Sequence, residues 1–246
     1  MEAARSPVSG PAKRVGVGDV VGETFSIYGQ NIGALLGSAI VVFVIVGLVS
    51  GILQHAGGLI LALLGVAVTL AGQALYTGFV VELVKDMRDG SRDQGVGDLF
   101  SAAAPFIPPL IGFGILYGIG VTIGLILIIV PGLILLTFWS VGAPAIVVEG
   151  IGPIDAFGRS WRLVRGNAWP VFGVLVVIFI IVVVIQAVLA AIANPIGNGE
   201  VSTWIAAIIS GTITAPIYAL AVTVLYYELA DETVAPAAAA VPPATP

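Results

Sequence analysis

The residues best suited to chemistry are three arginines at a spacing of three, Arg159, Arg162 and Arg165, with Trp161 among them. Guanidiniums fanned along one helix edge suit phosphate, and an aromatic ring beside them suits the headgroup layer of a bilayer. They can bind anionic lipid headgroups, or they can simply set topology and anchor the helix. Glu149 and Asp155 flank the same stretch. Two carboxylates can exchange a proton or hold a cation, although Asp155 is also placed to pair with Arg159 at i,i+4. A third set, Thr69, Gln73 and Tyr76, lies at spacings of four and three and shares one helical face, which Gln186 can join. Polar groups at mid-membrane hydrogen-bond between helices or line a pathway.

Other chemistry finds little support. The chain has no cysteine, so thiolate metal sites and disulfides are excluded, and the single histidine, His55, is too few for an imidazole-based zinc site. No cofactor is expected. A net charge of −5 argues against nucleic acid as a partner. Gly16–Gly22 lacks the Lys-Ser/Thr pair of a phosphate loop.

The elements that must carry these residues are membrane helices. Of 246 residues 59% are hydrophobic and 9% charged, against roughly 25% charged in a soluble domain. A span needs roughly 20 apolar residues. Such runs occur at Gly33–Leu53, Gly58–Val84, Ile107–Val130, Leu133–Val148, Trp169–Ala193 and Thr203–Leu229, with Pro131-Gly132 expected to turn the chain between the third and fourth. No apolar leader is expected ahead of the first run. The nine basic residues fall on one side of this six-span scheme: Arg5, Lys13, Arg14; Lys85, Arg88, Arg92; and Arg159, Arg162, Arg165. The intervening turns Gln54–Gly57, Pro131-Gly132 and Asn194–Ser202 carry none. The positive-inside rule then puts both termini in the cytoplasm.

Each basic segment opens on a Gly or Pro near an Asp: Gly18-Asp19, Gly97-Asp98 and Pro153-Ile154-Asp155. Asn31 and Asn167 stand twelve residues after the first and third Asp, placed to cap the spans that follow, while the second copy has Leu110 there. Ile154, Phe157, Trp161 and Val164 make one apolar stripe, as do Val17, Val20, Val21, Thr24, Ile27 and Tyr28. The expected fold is therefore an all-α integral membrane protein. It has six transmembrane helices as three hairpins, each preceded by an amphipathic cytoplasmic surface helix. Residues 1–16 form a disordered N-terminus, 17–230 the membrane domain, and 231–246 a disordered Ala- and Pro-rich tail. Glycines at Gly33/Gly37, Gly47/Gly51, Gly58/Gly65/Gly72, Gly114/Gly118 and Gly120/Gly124 suit close helix packing.

The string PAIVVEGIGPIDAFGRSWRLVRGN (Pro144–Asn167) and the opening GDVVGETFSIYGQNIGALLG (Gly18–Gly37) resemble the membrane domain attached to some bacterial glycerophosphodiester phosphodiesterases. That resemblance covers about residues 17–230 and implies a bacterial inner-membrane location and a lipid context. The family's hydrolytic chemistry belongs to a separate TIM-type barrel with paired histidines and acidic metal ligands, and nothing in this sequence matches it. The expected function is a non-enzymatic multi-pass membrane protein binding anionic lipid and serving lipid or envelope maintenance. The alternative is a small-molecule or lipid transporter or channel subunit. Its partners would be membrane lipids, with a homo-oligomer or an unidentified membrane partner left open.

Overall fold

The computed structural model describes residues 15–90, 94–193 and 200–239, the last stretch with side chains from 208 to 231. Arg5, Lys13, Arg14 and Arg92 lie outside the described residues, as do most of the expected N-terminal segment and residues 240–246 of the tail. Every regular element described is helical. In chain order these are α1 (Val17–Gln30), α2 (Ile32–His55), α3 (Leu59–Arg88) and α4 (Val96–Ala103), then a 3-10 turn (Ala104–Phe106), α5 (Ile107–Leu127), α6 (Ile129–Phe138), α7 (Gly142–Glu149), α8 (Pro153–Val164), α9 (Ala168–Ala193) and α10 (Glu200–Ala239). Among the described residues six segments are long and apolar enough to cross a membrane: Ile32–Leu53, Leu59–Arg88, Val96–Leu127, Ile129–Glu149, Ala168–Ile192 and Ile208–Asp231. The all-α class and the six-span count therefore stand. The α10 helix continues to Ala239, past the boundary expected at Asp231.

The turn between the third and fourth segments falls three residues before the expected Pro131-Gly132. Ile128 is extended (φ −157°, ψ 135°), and Pro131 sits in the first turn of α6. Proline needs no donor there, whereas its ring would clash with the carbonyl four residues back if the helix ran on from Leu127. Glycine then permits the approach of α5 and α6: a Cβ on Gly132 would lie 2.6 Å from the backbone nitrogen of Leu125, and one on Gly124 would lie 2.9 Å from Gly132 Cα.

The internal repeat begins earlier than Gly18-Asp19 suggested. Gly16, Gly95 and Gly152 are the N-caps of α1, α4 and α8, and each has an Asp three residues on. Gly95 N–H donates to Asp98 Oδ2 at 3.2 Å, and a Cβ on Gly16 would collide with the Asp19 carboxylate. The residue after each Asp (Val20, Leu99, Ala156) is buried, and so is the one four further on (Thr24, Ala103, Ser160). Asn31 works differently from expectation. Its Nδ2 donates to Ile27 O at 3.0 Å and to Met87 Sδ at 3.3 Å, so it closes α1 instead of capping α2.

Packing follows the same threefold pattern. α2 lies against α3 and α10, α5 against α6 and α3, and α9 against α10 and α6. α3, α7 and α10 contact one another. The short helices sit on members of this inner trio, α4 on α3, α8 on α7, and α1 on α10 with α9 beside it. The last of these contacts joins the two ends of the chain, and Tyr28 OH reaches Ile213 O at 3.5 Å. The core holds Tyr76, Phe79, Val80 and Val84 of α3, Ala145 of α7, Leu220 and Leu225 of α10, and Val141, which precedes α7.

The glycine contacts make a direct prediction. Gly132→Val forces side-chain atoms onto the α5 backbone and should destabilise the protein by about 1–3 kcal/mol, whereas Gly118→Ala, with nothing within 4 Å of its Cβ, should be neutral. Thermal unfolding of both variants in detergent, followed by size-exclusion chromatography, checks this.

Candidate functional site

The basic residues of α3 and α8 and the ends of α7 and α10 gather at one end of the bundle. At the end of α7, Gly150 takes a left-handed conformation (φ 67°), which lets the chain turn into α8 directly after Glu149. Glu149 Oε1 accepts from Arg159 Nε at 2.7 Å and from Tyr226 OH at 2.7 Å, tying α7, α8 and α10 together. This corrects the expected Asp155–Arg159 pair. Asp155 is exposed in the first turn of α8, while Glu149 offers a partly desolvated carboxylate with a phenol already on it. With Glu149 engaged and Asp155 turned to the surface, no joint site forms from the two. Among the described residues no group of three or more His, Asp or Glu could hold a metal.

A second knot joins α1, α3 and α10. Arg88 bonds Glu23 at 2.7 Å, lies 3.8 Å from Asp231, and places its guanidinium 4.6 Å from the centre of the Tyr227 ring. Tyr226 and Tyr227 are in edge contact, so the two knots meet on α10. Buried Glu82 takes Lys85 at 3.2 Å.

The outer face of α8 differs in character. Arg162 and Arg165 are exposed and make no ion pair among the described residues. Trp161 is 40% exposed and stacks on Phe138 at 4.1 Å, and Ile154 and Trp169 are 68% and 83% exposed. The expected stripe is thus divided. Val164 is buried, Phe157 stacks on Phe113, and Ile154 and Trp161 face out. The face that packs on the bundle carries Ala156, Ser160, Leu163 and Val164, because small residues let the α8 backbone come close. Ser160, overlooked in the sequence, is fully buried there. Its Oγ donates to Phe138 O at 2.8 Å and accepts from Val141 N at 3.3 Å, serving the groups freed where α6 stops and α7 begins. Its position five residues after Asp155, matching Thr24 and Ala103, is the signal that could have found it.

The polar residues of the spans lie in different surroundings. Thr69 Oγ1 donates within its own helix to Gly65 O at 3.0 Å. Tyr76 is buried, with its hydroxyl donating to Leu35 O at 3.0 Å. Gln73 and Gln186 are exposed on α3 and α9. Two phenols not singled out in the sequence, Tyr117 of α5 and Tyr218 of α10, lie beside each other. They are a hundred residues apart, and no local pattern announces the pair.

A family model described as "Domain of unknown function (DUF7847)" matches residues 99–241. No curated protein and no solved structure matches the chain. The resemblance to the phosphodiesterase-linked membrane domain is thereby corrected, since the match has no link to that family. The shared string consists of a glycine N-cap, interfacial Trp and Arg, and an Asn before a span, features that any surface helix leading into a span tends to carry.

Arg159 and Ser160 should matter for stability, and Arg162 and Arg165 should not. Ser160→Ala leaves a buried N–H and C=O with fewer partners, at a cost of about 1–3 kcal/mol. Arg159→Ala should also lower the midpoint, whereas Arg162→Ala and Arg165→Ala should leave it unchanged. Thermal melts of the four variants in one detergent make the comparison.

Proposed function

We propose that this chain, which belongs to the family described as "Domain of unknown function (DUF7847)", is a multi-pass plasma-membrane protein that binds anionic lipid headgroups through α8. The observation that carries the reading is the pair Arg162 and Arg165, exposed and without an acidic partner among the described residues, beside the exposed apolar side chains of Ile154, Trp161 and Trp169. A helix with that face lies in the headgroup layer, its rings at the acyl boundary and its guanidiniums on phosphate. Arg159 is withdrawn from the site, because Glu149 neutralises it.

In this reading the six spans form three hairpins, α2–α3, α5 with α6–α7, and α9–α10. The helices α1, α4 and α8 are the cytoplasmic surface helices that precede them. The cyclic packing supports this, as does the common Gly-x-x-Asp start. The one-sided distribution of Lys and Arg supports a cytoplasmic basic end. The protein acts on lipid organisation without catalysing a reaction, with lipid as its partner and no nucleic acid. A second reading, a transporter or channel subunit for a small molecule or lipid, draws on the exposure of Gln73 near mid-span.

Each basic residue near a charged surface contributes about 1 kcal/mol, so the Arg162→Ala/Arg165→Ala double variant should retain roughly 30-fold less anionic lipid than wild type. Native mass spectrometry after reconstitution with equal phosphatidylglycerol and phosphatidylcholine reads this. Equal retention by both proteins would refute the lipid site. Orientation is tested separately, since the chain contains no cysteine. An impermeant thiol reagent added outside sealed cells should label an Ala56→Cys variant and spare Asp89→Cys, and the opposite result would invert the topology.

A further inference from the structure

We propose that Glu149 sets which anionic lipid α8 accepts, keeping Arg159 from a phosphodiester head and yielding it to a phosphomonoester. The proposal rests on the α8 lipid site and names the ligand class that this site prefers.

Arg159 lies at the border of that site. On α8 the residues Ile154, Asp155, Gly158, Trp161 and Arg162 are exposed, while Ala156, Ser160, Leu163 and Val164 are buried. In helical projection Arg159 falls between these two arcs, and it stands one turn from Arg162. Its side chain is 26% exposed and that of Glu149 is 25% exposed, so a phosphate in the headgroup layer can reach the pair. Arg162 comes toward it. A Cβ on Gly158 would lie 3.4 Å from Arg162 Nη1, so this guanidinium folds back over the glycine, to the turn that carries Arg159.

The pair can open without leaving a bare charge. Arg159 Nε donates to Glu149 Oε1 at 2.7 Å, and Tyr226 OH donates to the same oxygen at 2.7 Å. When Arg159 turns to a phosphate, the carboxylate keeps the phenol and the water at its exposed side. The guanidinium exchanges one anion for another, so neither partner pays the cost of an unpaired buried charge.

The charge of the head decides that exchange. A phosphodiester bears a single negative charge, as Glu149 does, and offers Arg159 nothing that the carboxylate lacks. It is held by Arg162 and Arg165 alone. A phosphomonoester carries about −1.5 to −2 at neutral pH and presents three strong acceptor oxygens, which suit a third guanidinium. The exposed side chains of Ile154, Trp161 and Trp169 beside the arginines call for an acyl-bearing molecule, so the phosphate is that of a lipid.

Native mass spectrometry of the full chain, reconstituted with equal phosphatidic acid, phosphatidylglycerol and phosphatidylcholine, reads the exchange. Wild type should retain phosphatidic acid about fivefold over phosphatidylglycerol, the worth of one further arginine at a charged surface. Glu149→Gln, whose amide oxygen still accepts from Tyr226, should raise phosphatidylglycerol about fivefold and leave phosphatidic acid little changed. Glu149→Gln/Arg159→Ala keeps the net charge of the pair. It should return phosphatidylglycerol to the wild-type level and lower phosphatidic acid about fivefold. Asp155→Asn removes a carboxylate one turn from Arg159 without freeing an arginine, and should keep the wild-type preference. Phosphatidylglycerol that does not rise in Glu149→Gln, or a preference for phosphatidic acid that survives in the double variant, overturns the proposal. Should the double variant not fold, wild type and Glu149→Gln still decide. In either case a loss of both lipids in Arg162→Ala/Arg165→Ala upholds the α8 site, and no loss there sinks the site itself. Soluble glycerol 3-phosphate that competes as well as phosphatidic acid would overturn the lipid assignment.

Discussion

The contact among α3, α7 and α10 at the basic end holds the other elements in place. Lipid tails are as apolar as leucine, so helices gain little by hiding apolar surface from them, and association depends on close fit and on polar groups that must be paired. Val80, Val84, Val141, Ala145 and Ala221 supply the fit with small or β-branched side chains. At the rim, Glu149, Arg159 and Tyr226 form one polar knot, and Arg88, Glu23, Asp231 and Tyr227 form the other. An unpaired charge near hydrocarbon costs several kcal/mol, so each knot commits its helices to one arrangement. The short helices α1, α4 and α8 then seat on the trio through buried small or branched residues at matched positions.

Among the described residues the opposite end has no such knots. Exposed apolar side chains continue along α2, the first half of α3, the end of α5 and the second half of α9. Among the described residues the ion pairs thus gather at one end of the bundle.

The sequence showed the spans clearly, because they depend on composition summed over long stretches. It read the faces of helices poorly, and for a physical reason. In a bilayer an apolar residue is equally at home against lipid or protein, so hydrophobic period does not say which way a helix looks. Ile154 and Trp161 were expected to face the same way as Val164 and instead face outward, while the small residues Ala156 and Ser160 make the contact. Gln73 was grouped with Tyr76, yet one is bare and the other buried, because α3 changes from packed to free between them. The choice of Glu149 over Asp155 by Arg159, and the meeting of Tyr117 with Tyr218, depend on contacts between distant segments that spacing does not encode. The Gly-x-x-Asp starts were legible, but the Asp drew attention to the wrong glycine in the first two copies.

The packing closes on itself, with α1 seated on α9 and α10. A Cβ on Gly173 of α9 would lie 3.1 Å from Val17 Cγ2 of α1, within reach of a disulfide. In a Val17→Cys/Gly173→Cys variant carrying a protease site between residues 89 and 95, mild oxidation followed by cleavage should leave the two fragments joined until reductant is added. Fragments that separate without reductant, or that link only between molecules, would contradict the closed arrangement.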